Sequence, residues 1–197
     1  MNKKITPVTK PHLPDKKKFH RMIDKIYSNQ QLTNNGEYLI KLERKLESFL
    51  GVKNVICVGN GTLALQLAYK ALGLSGEVIT TPFSFIATAS SLVWENLKPR
   101  FCDIRHDTLN IDEEKIKELV NKKTSAIVPV HVFGNPCNVE KINHIAKENR
   151  LKVIYDACHC FNSKYKGKSV LNHGDISTLS FHSTKIFHTI EGGAIIT

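Results

Sequence analysis

The chain has 197 residues, a formal net charge of +10 and 41% hydrophobic content, enough for one sizeable core with at most a small appendage. No apolar run is long enough to span a bilayer, and the opening "MNKKITPVTKPHLPDKKK" lacks the apolar stretch of a secretory signal, so a soluble cytoplasmic protein is expected. The lysines are spread along helical faces with "DKKKFH" as the one dense cluster. Without an aromatic-interleaved basic motif, they read as a solvated surface rather than a nucleic-acid-binding one.

Residues 1–18 carry Pro7, Pro11 and Pro14 among lysines and are expected to run extended. "FHRMIDKIYSN" then sets Phe19, Met22, Ile23, Ile26 and Tyr27 on one helical face. After a break at "QLTNNG", "EYLIKLERKLESFLG" repeats Leu39, Leu42 and Leu46 and stops at Gly51, a good helix terminator. From there short apolar runs alternate with helical ones. The predicted strands are "NVICV" (54–58), "EVIT" (77–80), "RFCDI" (100–104), "AIVPV" (126–130), "KVIY" (152–155), "ISTLSF" (176–181) and "AIIT" (194–197). Helical patterns fall between most of them, in "TLALQLAYKALG", "SFIATASSLVWEN", "DEEKIKELVNKK" and "VEKINHIAKENR". This alternation predicts an α/β layered fold with a mostly parallel sheet covered on both faces.

In such sheets ligands bind beyond the carboxyl ends of the strands, which directs attention to the residues there. "GNGT" (59–62) leads straight into a helix, so Gly61 and Thr62 can offer backbone N–H groups to an anion at a helix N-terminus; the P-loop spacing is absent. "TPFSFIATA" offers Phe83 and Phe85, either as core or as a face for a flat ring. "VIYDACHCF" puts Asp156 at the end of an apolar run, where it either caps a turn or meets a ligand. The "CHC" of Cys158, His159 and Cys160 has no second ligand pair and the wrong spacing for zinc. With Cys57, Cys102 and Cys137 the cysteines total five, an odd and scattered set that suits reduced thiols. "SFHSTK" supplies Ser180, His182 and Lys185; a lysine in a partly desolvated pocket becomes a nucleophile towards carbonyls. An anion cradle, a ring face, a carboxylate and a lysine on successive strand ends are together the equipment for pyridoxal phosphate.

Several long motifs carry a resemblance: "GNGTLAL", "EVITTPFSFIATASS", "PRFCDI", "IVPVHVFGNPCNVEKI", "VIYDACHCF" and "SFHSTKIFHTIEGGA". From about Gly36 to the end the chain resembles the DegT/DnrJ/EryC1/StrS sugar aminotransferases, pyridoxal-phosphate enzymes of the aspartate-aminotransferase fold. Within that family "GNGTLALQLAYKALGL" and "TPFSFIATASSLVWE" are most similar to enzymes that aminate C4 of dTDP-4-keto-6-deoxyglucose.

The resemblance implies the large domain of a fold type I pyridoxal-phosphate transferase, a three-layer structure whose seventh strand, "AIIT", is antiparallel. It implies an arm and helix over 1–35 and the cofactor domain over 36–197. Lys185 matches the Schiff-base lysine, Asp156 the partner of the pyridine nitrogen, and Phe85 the residue stacked on the ring. Gly61, Thr62 and Ser180 match the phosphate contacts, and His159 falls near the ring hydroxyl. Glutamate as amino donor, a dTDP-sugar acceptor, a homodimer with interfacial sites and a place in surface-polysaccharide (O-antigen) synthesis are implied in the same way. Ile186 stands where the family often has asparagine, Cys158, Cys160 and Asn162 replace smaller residues, and Arg105 and His106 stand where an acid and proline are usual.

Chains of the family run to nearly twice this length, so the resemblance implies that the C-terminal small domain is missing. A fragment that binds cofactor without turnover is one alternative. A pyridoxal-phosphate dehydratase acting on a nucleotide sugar is another, but such relatives carry histidine in place of the lysine, which Lys185 opposes.

Overall fold

The computed structural model describes residues 6–197, so the start of the expected extended lead-in lies outside the described residues. Residues 6–15 have no regular structure, and helix α1 (Lys16–Asn29) begins where the Asp15 side chain accepts from the Lys18 N–H at 2.8 Å. The apolar side of α1 is present as the spacing predicts, yet none of its residues is buried: Phe19, Met22, Ile23 and Tyr27 all stay exposed. Helix α2 (Glu37–Leu50) buries Leu46 and Leu50 and ends at Gly51, whose φ of +64° is the left-handed turn that glycine adopts without strain.

The remainder is β1 (Val55–Val58), α3 (Gly61–Ala71), β2 (Glu77–Thr80), α4 (Ile86–Trp94), β3 (Lys98–Phe101), α5 (Ile116–Leu119), β4 (Thr124–Val128), α6 (Val139–Asn149) and β5 (Lys152–Asp156). A two-residue hairpin of β6 (Lys164–Tyr165) and β7 (Lys168–Ser169) precedes β8 (Ile176–Ser180) and β9 (Gly193–Ile196). All seven predicted strands join one sheet in the order β1-β9-β8-β5-β4-β2-β3. The run from β8 to β3 is parallel, while β9 is antiparallel to both β8 and β1. Among the described residues no helix is long and apolar enough to cross a membrane.

Alternation along the central strands separates two layers. Ile127, Val153, Tyr155, Ala194 and Ile196 face the core shared with α2 and α6, while Ala126, Val128, Ile154 and Ile195 face α3 and α4. Both faces of the central strands are therefore dry, and strand ends and the edge strands remain for chemistry.

Three elements depart from the sequence pattern. β4 stops at Val128, two residues short of the apolar run, because Pro129 has no N–H for the ladder; Val130 still bridges Asp156. β3 runs over Lys98–Phe101 instead of 100–104, and Ile104 turns away to bridge Ile111. In "DEEKIKELVNKK" only the single turn of α5 is helical, with Ile116 buried. The hairpin of β6 and β7 has only two residues per strand, too short to show a period in the sequence.

Candidate active site

The strand order reverses between β2 and β4, and in doubly wound sheets such a reversal opens a crevice beyond the carboxyl ends. A cavity of about 560 Å³ lies there, within the range of small-molecule sites. Gly61, Thr62, Phe85, Asp156, His159, Ser180 and Lys185 all line it, so the structure brings every residue of the sequence-derived set together. Asn60, Val130, Cys158, His182, Thr184 and Glu191 complete much of the wall.

The floor is Asp156, the last residue of β5, buried between neighbouring strands. Its N–H donates to the Pro129 carbonyl at 3.0 Å and its carbonyl accepts from the His131 N–H at 3.1 Å. The carboxylate is held separately: the Thr88 hydroxyl of α4 donates to Oδ2 at 2.7 Å, and the Cys158 N–H donates to Oδ1 at 3.2 Å. One bond to each oxygen fixes the direction of the carboxyl group. Thr88 is fully buried and was not singled out in the sequence; a hydroxyl one turn into an apolar helix gives no period to detect.

One wall is the start of α3. The Asn60 side chain caps it by accepting from the Leu63 N–H at 2.8 Å. The first-turn N–H groups of Gly61 and Thr62 have no acceptor within the helix, which leaves that end able to meet an anion. The approach is too close for a side chain at Gly61. A Cβ there would lie 3.0 Å from the Ser180 Cβ and 3.1 Å from the Cys158 Sγ. Behind it, Gly193 of β9 faces the same backbone, where a Cβ would come within 2.5 Å of the Asn60 carbonyl carbon.

Lys185 sits on the loop between β8 and β9, half-buried, its N–H donating to the His182 carbonyl at 2.9 Å. Phe187 anchors the loop, stacked on Phe161 at 4.6 Å and edge-on to Phe181 at 5.1 Å. The loop is closed by Thr189 N–H to the Phe181 carbonyl, 3.0 Å, and Phe181 N–H to the Gly192 carbonyl, 2.8 Å.

Phe85 is 74% exposed at the cavity edge, with its aromatic surface open to a ligand. Phe83 instead meets Phe133 edge-on at 6.3 Å, and Phe133 lies parallel to His159 at 6.2 Å. Phe133 adopts φ +53°, a left-handed conformation uncommon for an aromatic residue.

The titrating groups are tuned by burial and by their neighbours. Burial, then the Lys185 charge, lowers the His159 pKa against the opposing pull of Asp156, so the neutral imidazole is favoured. Burial and the Asp156 carboxylate hold the Cys158 thiol well above the usual thiol range, which keeps a second nucleophile beside the lysine protonated. The five cysteines are free, and among the described residues no group of three or more His, Cys, Asp or Glu side chains is arranged to hold a metal ion.

The family profile of the DegT/DnrJ/EryC1/StrS aminotransferases matches residues 14–197. A dTDP-4-amino-4,6-dideoxy-D-glucose transaminase of Shigella dysenteriae is 53% identical over 189 residues, covering 96% of this chain and 52% of the relative. DesI, solved with its TDP-sugar product, superposes with a TM-score of 0.92 at 35% identity, over 95% of this chain and 48% of DesI. NtdA from Bacillus subtilis, solved with bound cofactor PMP, superposes with a TM-score of 0.82 at 31% identity, over 100% of this chain and 46% of NtdA. The chain thus spans about half the length of the proteins it matches. A match of this extent makes the chain a member of the DegT/DnrJ/EryC1/StrS aminotransferase family.

Proposed function

We propose that residues 36–197 are the cofactor-binding large domain of a pyridoxal 5'-phosphate-dependent sugar-nucleotide aminotransferase, with residues 1–35 as an arm and helix. The substrates in this reading are glutamate and a dTDP-4-keto-6-deoxyhexose, aminated at C4 for surface-polysaccharide sugars in the cytoplasm by a homodimer. The observation that carries it is the convergence of Lys185, Asp156 and the Gly61–Ser180 contact on one cavity. The similarity to the Shigella dysenteriae transaminase supports the choice of sugar.

The residues present fit the cofactor. The space that a Cβ at Gly61 would fill lies between the α3 N-terminus and Ser180, where a phosphate would be met by Gly61 and Thr62 N–H groups and the Ser180 hydroxyl. Asp156 supplies a fixed carboxylate, Phe85 an exposed ring, and His159 a neutral imidazole. When bound, pyridoxal 5'-phosphate supplies an aldehyde that condenses with amines and a ring that takes up electrons when the adjacent C–H loses its proton.

The protein's own steps are then few. With the cofactor bound, Lys185 Nζ would hold it at the aldehyde carbon and would give it up to an incoming amine. The same Nζ, once released, would be placed to take the proton from the donor Cα and return it as general base and acid. Asp156 would hold a proton on the ring nitrogen, and Thr88 and the Cys158 N–H keep its carboxyl group from turning away. Gly61, Thr62 and Ser180 anchor the phosphate, so the reacting carbon stays in reach of Nζ.

The test is to incubate the purified chain with pyridoxal 5'-phosphate, reduce with borohydride and map the labelled residue by mass spectrometry. Label on Lys185, lost in Lys185→Ala, is the expected result. Label elsewhere, or undiminished label in Lys185→Ala, ends the assignment. Amination of a dTDP-4-keto sugar with glutamate, assayed on the same preparation, tests the substrates.

A further inference from the structure

We propose that His182, in its neutral form with the proton on Nε2, is a positioning residue that fastens the turn presenting Lys185. The inference rests on the reading of Lys185 as the reactive amine. His182 lines the same cavity and makes more polar contacts than any other side chain of its loop. Its Nδ1 lies 3.3 Å from the Thr184 backbone nitrogen and 2.8 Å from the Thr184 Oγ1. A backbone N–H can only donate, so Nδ1 must present a lone pair, and the proton of the neutral ring is on Nε2. Nε2 faces Glu191 Oε1 at 3.4 Å, across the mouth of the loop.

The backbone repeats the arrangement. The His182 carbonyl accepts from the Lys185 N–H at 2.9 Å, and the His182 N–H donates to Ser180 Oγ at 3.4 Å. One residue thus ties the end of β8 to Thr184 and Lys185 on one side and to Glu191, near the start of β9, on the other. A second proton on the ring would occupy Nδ1 and leave the Thr184 N–H without its acceptor. The turn carrying Lys185 would then lose one of its ties while keeping the Lys185 N–H to His182 carbonyl bond and the Nδ1–Thr184 Oγ1 contact, so the placement of the amine would loosen above an unchanged floor.

The charged groups around the ring are few. Glu191, Lys185 and His188 share its loop, the last facing away with Nδ1 3.3 Å from the Ile190 backbone nitrogen, and Asp156 and His159 reach the cavity from β5 and the turn after it. The residues that α3, α4 and their N-caps present there (Asn60, Gly61, Thr62, Leu65, Phe85 and Ala87) are all uncharged. A change with pH in the turn is therefore traceable to a short set, and a side chain that accepts without titrating isolates His182. Asparagine does this, because its carbonyl oxygen bonds the N–H two residues on.

The experiment compares the full chain with His182→Asn and His182→Ala between about pH 5 and 8, where histidine changes charge. Amide exchange at Thr184 and Lys185, without cofactor and corrected for intrinsic rate, reads the turn. Borohydride trapping of pyridoxal 5'-phosphate on Lys185 reads the amine. Protection in the native chain should fall towards acid, and His182→Asn should stay flat. His182→Ala should be about fivefold less protected even at high pH, the weight of one ordinary hydrogen bond. Trapping should fall more steeply with acid in the native chain than in His182→Asn, since every other group of the site is common to both.

Full protection in His182→Ala, or the same acid limb in His182→Asn as in the native chain, overturns the proposal. Exchange as expected with no label on Lys185 in any variant keeps the clasp and removes the aminotransferase reading instead.

Discussion

The floor and the rim of the cavity are built by different physics. Asp156 is held within the sheet by two backbone bonds to the Pro129–His131 segment and by a buried hydroxyl and an N–H on its two oxygens. Lys185 is half-buried on a loop whose polar contacts are mostly solvent-accessible and whose apolar anchor is Phe187. Local opening of the floor would break the central sheet, whereas opening of the rim exposes little apolar surface. The proposed reaction would use that division: the carboxylate would act in place, while the amine would have to leave one carbon and serve another.

Substitutions should expose the contrast, beginning with the strongest. Gly193→Ala forces a Cβ against the Asn60–Gly61 backbone, which cannot swing aside as a side chain would. About 3 kcal/mol of stability should be lost, measured by urea unfolding, with cofactor binding lost alongside it. An unchanged unfolding midpoint would show that the start of α3 is free to shift. Thr88→Val keeps the shape of the buried site and leaves Asp156 Oδ2 without its donor. The expected cost is about 2 kcal/mol, since bonds to charged groups run above the average. Label on Lys185 should persist, because the rim is untouched.

The smallest expected effect at neutral pH is also the one that grows with acid. His131 is fully buried, its ring stacked on Tyr155 at 4.5 Å, and burial drives its pKa from 6.5 down to about 3. Between those two values the unfolded chain binds a proton that the folded chain refuses. Stability therefore falls as pH drops through that window, by about 1.4 kcal/mol per unit. His131→Asn should lose a modest amount at pH 7 and flatten the slope of urea midpoint against pH below about 6.5. A slope as steep in the variant would assign acid sensitivity to other groups.

Much of this site could be read along the chain. A lysine in "SFHSTK", an aspartate closing "VIYD" and a glycine opening a helix are local features, and each falls on the cavity. The helix starts and stops were equally local, as Gly51 and Asn60 show. Thr88, His182 and Glu191 were not assigned roles, because a residue that works by orienting another is defined by what it touches and not by its own spacing. α1 shows the converse. Its apolar periodicity predicts the helix correctly, yet a period says nothing about whether a partner surface exists, and here none of its residues is buried.

By itself, the sequence determined the alternation of strand and helix, because burial on both faces demands continuous apolar runs, and it placed reactive groups at the ends of those runs. Only the tertiary structure decided that the ends meet. The strand order reverses between β2 and β4, Gly193 admits the α3 N-terminus beside Ser180, and Thr88 reaches across from α4 to aim Asp156. Contacts between residues 68 positions apart, like that of Thr88 with Asp156, leave no period in a chain; they exist because packing two layers on one sheet brings distant residues within hydrogen-bonding distance.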